Sequence, residues 1–209
     1  MKLHLIRHGQ KRSDQIQPEL TDIGIQQASL TADYLAHEPI TKVIASPWIR
    51  TQQTAAIIAK PHRLTIESDI LLRERIGWQD SPKCTLAEFV DIWCHSTTDR
   101  DWDPPFGYSS KKASARMSQA ISKHTLDING DIVFVSHGGI ITDFLADLVG
   151  ENHLIANFFK TRDNYINSRT QECSITTLIN DHDTWKLDNL FYQGHLDNLT
   201  NAKLNSKRP

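Results

Sequence analysis

The chain has 209 residues, 39% hydrophobic and 23% charged, with 23 Lys plus Arg against 25 Asp plus Glu for a formal net charge of −2. That length and balance suit one sizeable domain with a buried core, and they exclude a disordered, fibrous or strongly basic nucleic-acid-binding chain. No apolar run is long enough for a membrane span or a secretory signal. The three cysteines, Cys84, Cys94 and Cys173, are odd in number and lack C-x-x-C spacing, so neither a disulfide framework nor a thiolate metal site is expected. These features predict a soluble, cytoplasmic protein with no nucleic-acid or membrane partner.

In chain order, Leu3 to Ile6 reads as a first strand, followed by a charged, Gly-containing loop. From Thr21 a helical pattern begins, with Thr21 as its cap. Lys42 to Ala45 reads as a second strand, and Ser46-Pro47 as the opening of a second helix that Pro61 ends. Leu64 to Glu67 looks like a short third strand, and Asp131 to Val135 a fully buried one, leading into an apolar helix from Ile140 to Val149. Ser174 to Ile179 and Trp185 to Tyr192 read as two strands around the polar turn Asn180-Asp181-His182-Asp183.

Strands alternating with helices predict a three-layer α/β/α sandwich with a mostly parallel central sheet. The stretch from about 76 to 114, with Pro82, Pro104, Pro105 and three of the five tryptophans, reads as an excursion inserted above the C-terminal edge of that sheet. The expectation is one domain over residues 1–200, with 201–209 a frayed tail.

Three polar clusters fall just after three predicted strands: Arg7-His8-Gly9, Ser46-Pro47-Trp48-Ile49-Arg50-Thr51, and Ser136-His137-Gly138-Gly139. Ligands of open α/β sheets bind outside the carboxyl ends of the strands, so one parallel sheet would deliver all three clusters to one edge. Two arginines, two histidines and the backbone N–H groups of Gly138 and Gly139 at a helix start suit a dianion such as phosphate. No acidic metal cage stands beside them, and no cofactor is expected.

These clusters resemble the histidine phosphatase superfamily, the phosphoglycerate mutase-like proteins. Arg7-His8-Gly9 is similar to its signature, Leu20-Thr21-x-x-Gly24-x-x-Gln27-Ala28 to its next helix start, and Ser46-Pro47-x-x-Arg50-Thr51-x-x-Thr54-Ala55 to its second arginine motif. Leu72-Arg73-Glu74 sits where the family places a proton donor, and Ser136-His137-Gly138-Gly139 resembles its second histidine motif. Five ordered motifs are far more specific than a lone R-H-G.

The resemblance implies phosphoryl transfer through a phosphohistidine without a metal. His8 would be the nucleophile, its pKa pushed down by Arg7 and Arg50. Arg7, Arg50 and His137 would hold the phosphoryl oxygens, with Gly138 beside them. Glu74 would protonate the leaving group, its proton held more firmly beside a phosphate dianion. The substrate would be a small phosphorylated metabolite or a phosphoprotein. A mutase returning the phosphoryl group to its substrate, or a non-catalytic module that binds phosphorylated ligands, are the alternatives.

The chain departs from the family pattern in three places. Lys11 and Asp14 stand where Ser or Thr and Asn are common, Glu74 precedes Gly77 by three residues rather than four, and Tyr108 stands where a Glu is usual. Several residues carry two readings. Trp78, Trp93 and Trp102 either roof the site or pack the excursion. Glu74 is an acid or a partner of Arg73 or Arg75. Lys111-Lys112 binds a second anion or is a solvated helix start. His182 between two aspartates is better explained as a turn than as a metal ligand, and His4 as a hydrogen-bonded sheet residue.

Overall fold

The computed structural model describes residues 1–12, 17–78, 84–126, 128–167, 170–182, 184–197 and 199. Asp14 and the expected tail at 201–209 lie outside the described residues, as does Asp183 of the expected turn. A six-stranded sheet runs in the order β3-β2-β4-β1-β5-β6, made of β1 (Lys2–Arg7), β2 (Ile40–Ala45), β3 (Ile66–Ser68), β4 (Asp131–Ser136), β5 (Ile175–Asp181) and β6 (Thr184–Tyr192). β3, β2, β4 and β1 pair in parallel, and only β5 is reversed, antiparallel to both β1 and β6. The sheet is therefore mostly parallel, as the alternation of strands and helices predicts.

Along the central strands the side chains alternate between two cores. Leu3, Leu5, Ile132 and Phe134 face one, with residues of α4 (Ser110–Thr125) and α5 (Gly138–Val149). Ile6, Val43, Ala45, Val133 and Val135 face the other, with α1 (Asp22–Leu35) and α2 (Ile49–Ala59). A strand buried on both faces needs apolar residues at both parities, which is why β4 reads as a continuous apolar run. Each of the Val, Leu, Ile and Phe side chains among them contributes roughly 1.5–3 kcal/mol on burial.

Thr21 caps α1, its side chain accepting from the Gly24 N–H at 3.0 Å. Gly24 also lets the loop after β1 close on the helix, since a Cβ there would lie 2.1 Å from the Gln10 carbonyl oxygen. The expected start of α2 is corrected. Ser46 does not cap it; the helix begins at Ile49 with Trp48 at its N-cap and no side-chain cap. The Ser46 carbonyl instead accepts from Thr51 Oγ1 at 2.7 Å and Gln52 Nε2 at 2.8 Å, so these side chains close the entry turn and leave the Ser46 hydroxyl for the site.

The third strand is displaced to Ile66–Ser68 because pairing with β2 sets its register, Val43 opposite Ile66. The hairpin strands run to Asp181 and from Thr184, which shortens the expected turn. The 76–114 excursion contains a helix, α3 (Leu86–Thr98), and ends inside the first turns of α4. α3 starts with a capping box in which Thr85 and Glu88 exchange hydrogen bonds, a signature present in the sequence as Thr85-x-x-Glu88. After α5 come α6 (Glu151–Leu154), a π turn over Ile155–Phe159 and α7 (Arg162–Asn167). Among the described residues no helix is long and apolar enough to cross a membrane.

Candidate active site

β1, β2 and β4 end side by side, and each hands one cluster to the same edge. The Arg7 carbonyl accepts from Cys173 N, and His8 N donates to the Ser136 carbonyl at 3.0 Å, so the first loop is tied to the end of β4. Ser46 N donates to the Val135 carbonyl at 3.0 Å, which ties the second loop there too. The His8 and His137 rings meet edge to face with centroids 5.3 Å apart.

His8 is 4% exposed, and its Nδ1 lies 2.8 Å from the Gly9 carbonyl oxygen. A carbonyl only accepts, so Nδ1 carries the proton and Nε2 keeps its lone pair. Burial, then Arg50 and Arg7, hold the His8 pKa well below the usual histidine range. The expected lowering by the two arginines is present, with desolvation added as the larger cause. His137 is held down likewise, by burial first and Arg50 second. An Arg50 guanidinium N–H donates to its Nδ1 at 3.1 Å, so the proton sits on Nε2, which donates to Ser46 Oγ at 2.9 Å.

Arg7 is anchored by the Thr170 carbonyl and by Glu172 Oε1 at 2.8 Å. Glu172 was not expected, because nothing local links it to a residue 165 positions away. Gly9 N donates to Thr54 Oγ1 at 3.0 Å, which uses the threonine of the second arginine motif to fix the loop carrying His8.

Glu74 answers neither salt-bridge reading. Its Oε2 accepts from Gly139 N at 3.0 Å, and its Oε1 from Ile140 N and Arg75 N, both at 2.9 Å. The carboxylate thus sits on the N-terminus of α5, where the helix dipole favours a negative charge. This corrects the expectation that the Gly139 N–H is open to phosphate: Glu74 takes it. Gly139 has to be glycine for this, since a Cβ would lie 2.6 Å from both Glu74 Oε1 and a Trp93 ring carbon.

Arg7, His8, Arg50, Glu74 and Gly138 all line one cavity of about 430 Å³, with Lys11 among its lining residues. Trp78 and Trp93 line it as well, whereas Trp102 is not among its lining residues and stacks on His95 at 4.1 Å. Arg75, read from the sequence only as a candidate partner of Glu74, forms a buried pair at 2.9 Å with Asp143, which the sequence did not single out, and each side chain is 2% exposed. Burial raises the Asp143 pKa to about 6, with Arg75 opposing the shift. Tyr108 packs under the Arg116 guanidinium at 4.3 Å and does not line the cavity. His182 is 98% exposed and bonds Asp181, as a turn residue would. Among the described residues, the one cluster of His, Asp and Glu able to share a cation is His4, Glu38 and Asp131, at the opposite end of the strands. There the Lys2 ammonium already bonds Glu38 at 2.9 Å.

Comparison with known proteins gives a consistent picture. A profile described as histidine phosphatase superfamily (branch 1) matches residues 3–192. A Yersinia pestis protein named "Probable phosphoglycerate mutase GpmB" is 32% identical over 162 residues, covering 72% of this chain and 75% of the relative. A phosphoserine phosphatase from Entamoeba histolytica, solved with 3-phosphoglyceric acid, superposes with a TM-score of 0.68 at 25% identity, over 93% of this chain and 98% of the other. A mycobacterial glucosyl-3-phosphoglycerate phosphatase solved with inorganic phosphate shares the fold, with a TM-score of 0.70 at 23% identity over 93% and 98% of the two chains.

Proposed function

The chain belongs to the histidine phosphatase superfamily, and from that premise we propose that it hydrolyses small phosphate monoesters through a phosphohistidine on His8, without a metal or cofactor. The family supports an enzyme acting on phosphate esters. The observation that carries the finer reading is the His8 ring: Nδ1–H is fixed on Gly9, and Nε2 is left unprotonated in a cavity that also holds Arg7 and Arg50.

In the first step His8 Nε2 attacks phosphorus, forming the P–N bond as the ester P–O bond breaks. Arg7 and Arg50 stabilise the charge on the equatorial oxygens, with Gly138 beside them, and His137, which is not among the residues lining the cavity, would turn its Nε2–H from Ser46 Oγ to reach the third. Glu74, protonated on the Oε2 lone pair that Gly139 N leaves open once the phosphate dianion opposes the α5 dipole, gives its proton to the departing alkoxide. In the second step water attacks phosphorus, Glu74 takes its proton, the P–N bond breaks, and phosphate leaves with His8 neutral again. We read residues 1–200 as one such domain, with 76–114 as its insertion, working in the cytoplasm on a small metabolite or, as a second class, a phosphoprotein.

The name of the Yersinia relative favours one second reading, a mutase that returns the phosphoryl group to a different oxygen of its substrate. Phosphate release from an aryl phosphate in the presence of a chelator separates the two. Hydrolysis is expected, and His8→Ala is expected to lower kcat by at least about a thousandfold. Rearranged phosphoglycerate with little free phosphate would establish the mutase instead. Vanadate binding with no ester turned over would leave a binding module.

A further inference from the structure

The cavity has two chemically different ends. Arg7, His8 and Arg50 form the phosphate end, and Lys11 belongs with them, since its charge acts on His8. The other end is walled by rings. Trp78 meets Phe89 edge to face with centroids 5.2 Å apart, Phe89 lies nearly parallel to Trp93 at 6.4 Å, and Phe159 meets Tyr165 at 5.4 Å. All five line the cavity. Trp78 is 46% exposed and Leu86 69% exposed at the same cavity.

Among the described residues, Arg75 is the one cation lining the ring-walled end, and it is committed. Its guanidinium donates to Asp143 Oδ1 at 2.9 Å, Ser110 Oγ at 2.7 Å, the Trp93 carbonyl at 3.2 Å and Thr97 Oγ1, and it stacks over the Trp93 ring at 4.1 Å. The two lysines considered for a second anion are engaged elsewhere, Lys111 with Asp147 at 2.7 Å and Lys112 with Asp103, and neither lines the cavity. A second anionic group placed against these rings would meet the Asp143 carboxyl and, among the described residues lining this end, no cation other than the Arg75 already paired with it. A flat uncharged ring would find edge and face contacts on both walls.

Resting on the phosphoester reading of this site, we propose that the leaving group taken here is an uncharged alcohol bearing an aromatic or similarly flat apolar ring, and that esters with a carboxylate on the leaving group are disfavoured. This sets the chain apart from the phosphoglycerate and phosphoserine named for its relatives. The selection acts through charge and shape at the ring-walled end, with the phosphoryl chemistry at the other end unchanged.

The test compares benzyl phosphate with 4-carboxybenzyl phosphate, two esters of similar leaving-group reactivity that differ by one carboxylate. The wild-type protein is expected to prefer benzyl phosphate in kcat/KM by at least about tenfold. Leu86→Arg, a change at a largely exposed position lining the cavity, is expected to narrow that preference by about threefold or more. Tryptophan fluorescence of the His8→Ala protein, titrated with each ester, reads the same preference as binding even if turnover is absent. Equal kcat/KM for the two esters, a preference for 3-phosphoglycerate over benzyl phosphate, or equal binding by the His8→Ala protein would overturn the proposal. In the first two cases the phosphatase reading would still stand, whereas tighter binding of benzyl phosphate without turnover of any ester would remove that reading and keep the ring selectivity.

Discussion

At the scale of single residues, the chemistry rests on which nitrogen of each imidazole carries a proton. Gly9 settles it for His8 and Arg50 for His137, one by offering only an acceptor and the other only a donor. In the proposed mechanism Glu74 has two tasks that a substitution separates. As an acid it matters most where the leaving group is a poor one; as a carboxylate on the first N–H groups of α5 it holds that helix end. Glu74→Gln keeps one acceptor oxygen and turns an amide N–H₂ toward N–H donors. It is expected to slow alkyl phosphates far more than activated aryl phosphates, and to cost about 0.3–2 kcal/mol of stability in a urea melt. Equal slowing of both ester classes would remove Glu74 from the acid role.

The gathering of Arg7, His8, Arg50 and His137 at one edge was legible in the sequence because a strand end followed by Arg-His, by an Arg in the first turn of a helix, or by His-Gly has few structural reasons to exist. The anchoring of Glu74 was not legible: its N–H donors lie 65 and 66 positions away, and beside Arg73 and Arg75 the residue looks like half of a surface ion pair.

At the scale of elements, Arg75 ties the excursion down. One guanidinium bonds α3 through Trp93 and Thr97, α4 through Ser110 and α5 through Asp143, while the Arg75 carbonyl accepts from Tyr108 N at 2.8 Å. The segment at 76–114 is thus held to the sheet's helical layer by a buried charge pair as well as by ring contacts. Removing one partner of such a pair leaves the other charged and alone. Asp143→Ala is therefore expected to lose roughly 3–5 kcal/mol in equilibrium unfolding, and Arg75→Met combined with Asp143→Leu to recover much of it. A loss below about 1 kcal/mol in the single variant would mean the pair is not the tie. The helix that carries Phe89 and Trp93 is hidden by composition, since a stretch rich in prolines and tryptophans surrounds Thr85-x-x-Glu88, which marks its start. The entry to α2 misled in the other direction, since Ser-Pro has the chemistry of a helix opening but here closes a turn and spares the Ser46 hydroxyl for His137.

At the scale of the whole molecule, the parallel character of the sheet was readable from the alternation of strands and helices, and the β5–β6 hairpin from the short polar turn between its strands, but not that β5 is the strand running against the rest. The order β3-β2-β4-β1-β5-β6 was not readable, because β4 sits between β1 and β2 through pairing of residues far apart in the chain, Leu3 with Ile132 on one side and Lys42 with Ile132 on the other. That arrangement buries imidazoles together, and the consequence is acid sensitivity. The pKa values of His8 and His137 are well below 6.5 in the folded chain, that of His195 falls to about 4, and that of His4 is lowered as well. The unfolded chain takes up these protons near pH 6.5 while the folded chain does not. Their contribution is therefore complete above about pH 6.5 and is lost as pH falls below it. Asp143 acts oppositely: raised to about 6, it binds a proton in the folded chain first, so its penalty at neutral pH is relieved as pH falls through 6. Several imidazoles outweigh one carboxyl. Stability is expected to fall by about 2 kcal/mol between pH 7 and pH 5.5, and less in His137→Asn, which removes one of the buried imidazoles. Urea midpoints at the two pH values check it. A wild-type midpoint that stays flat or rises on acidification would mean the two facing rings are already charged, and a charged His8 has no lone pair with which to attack phosphorus.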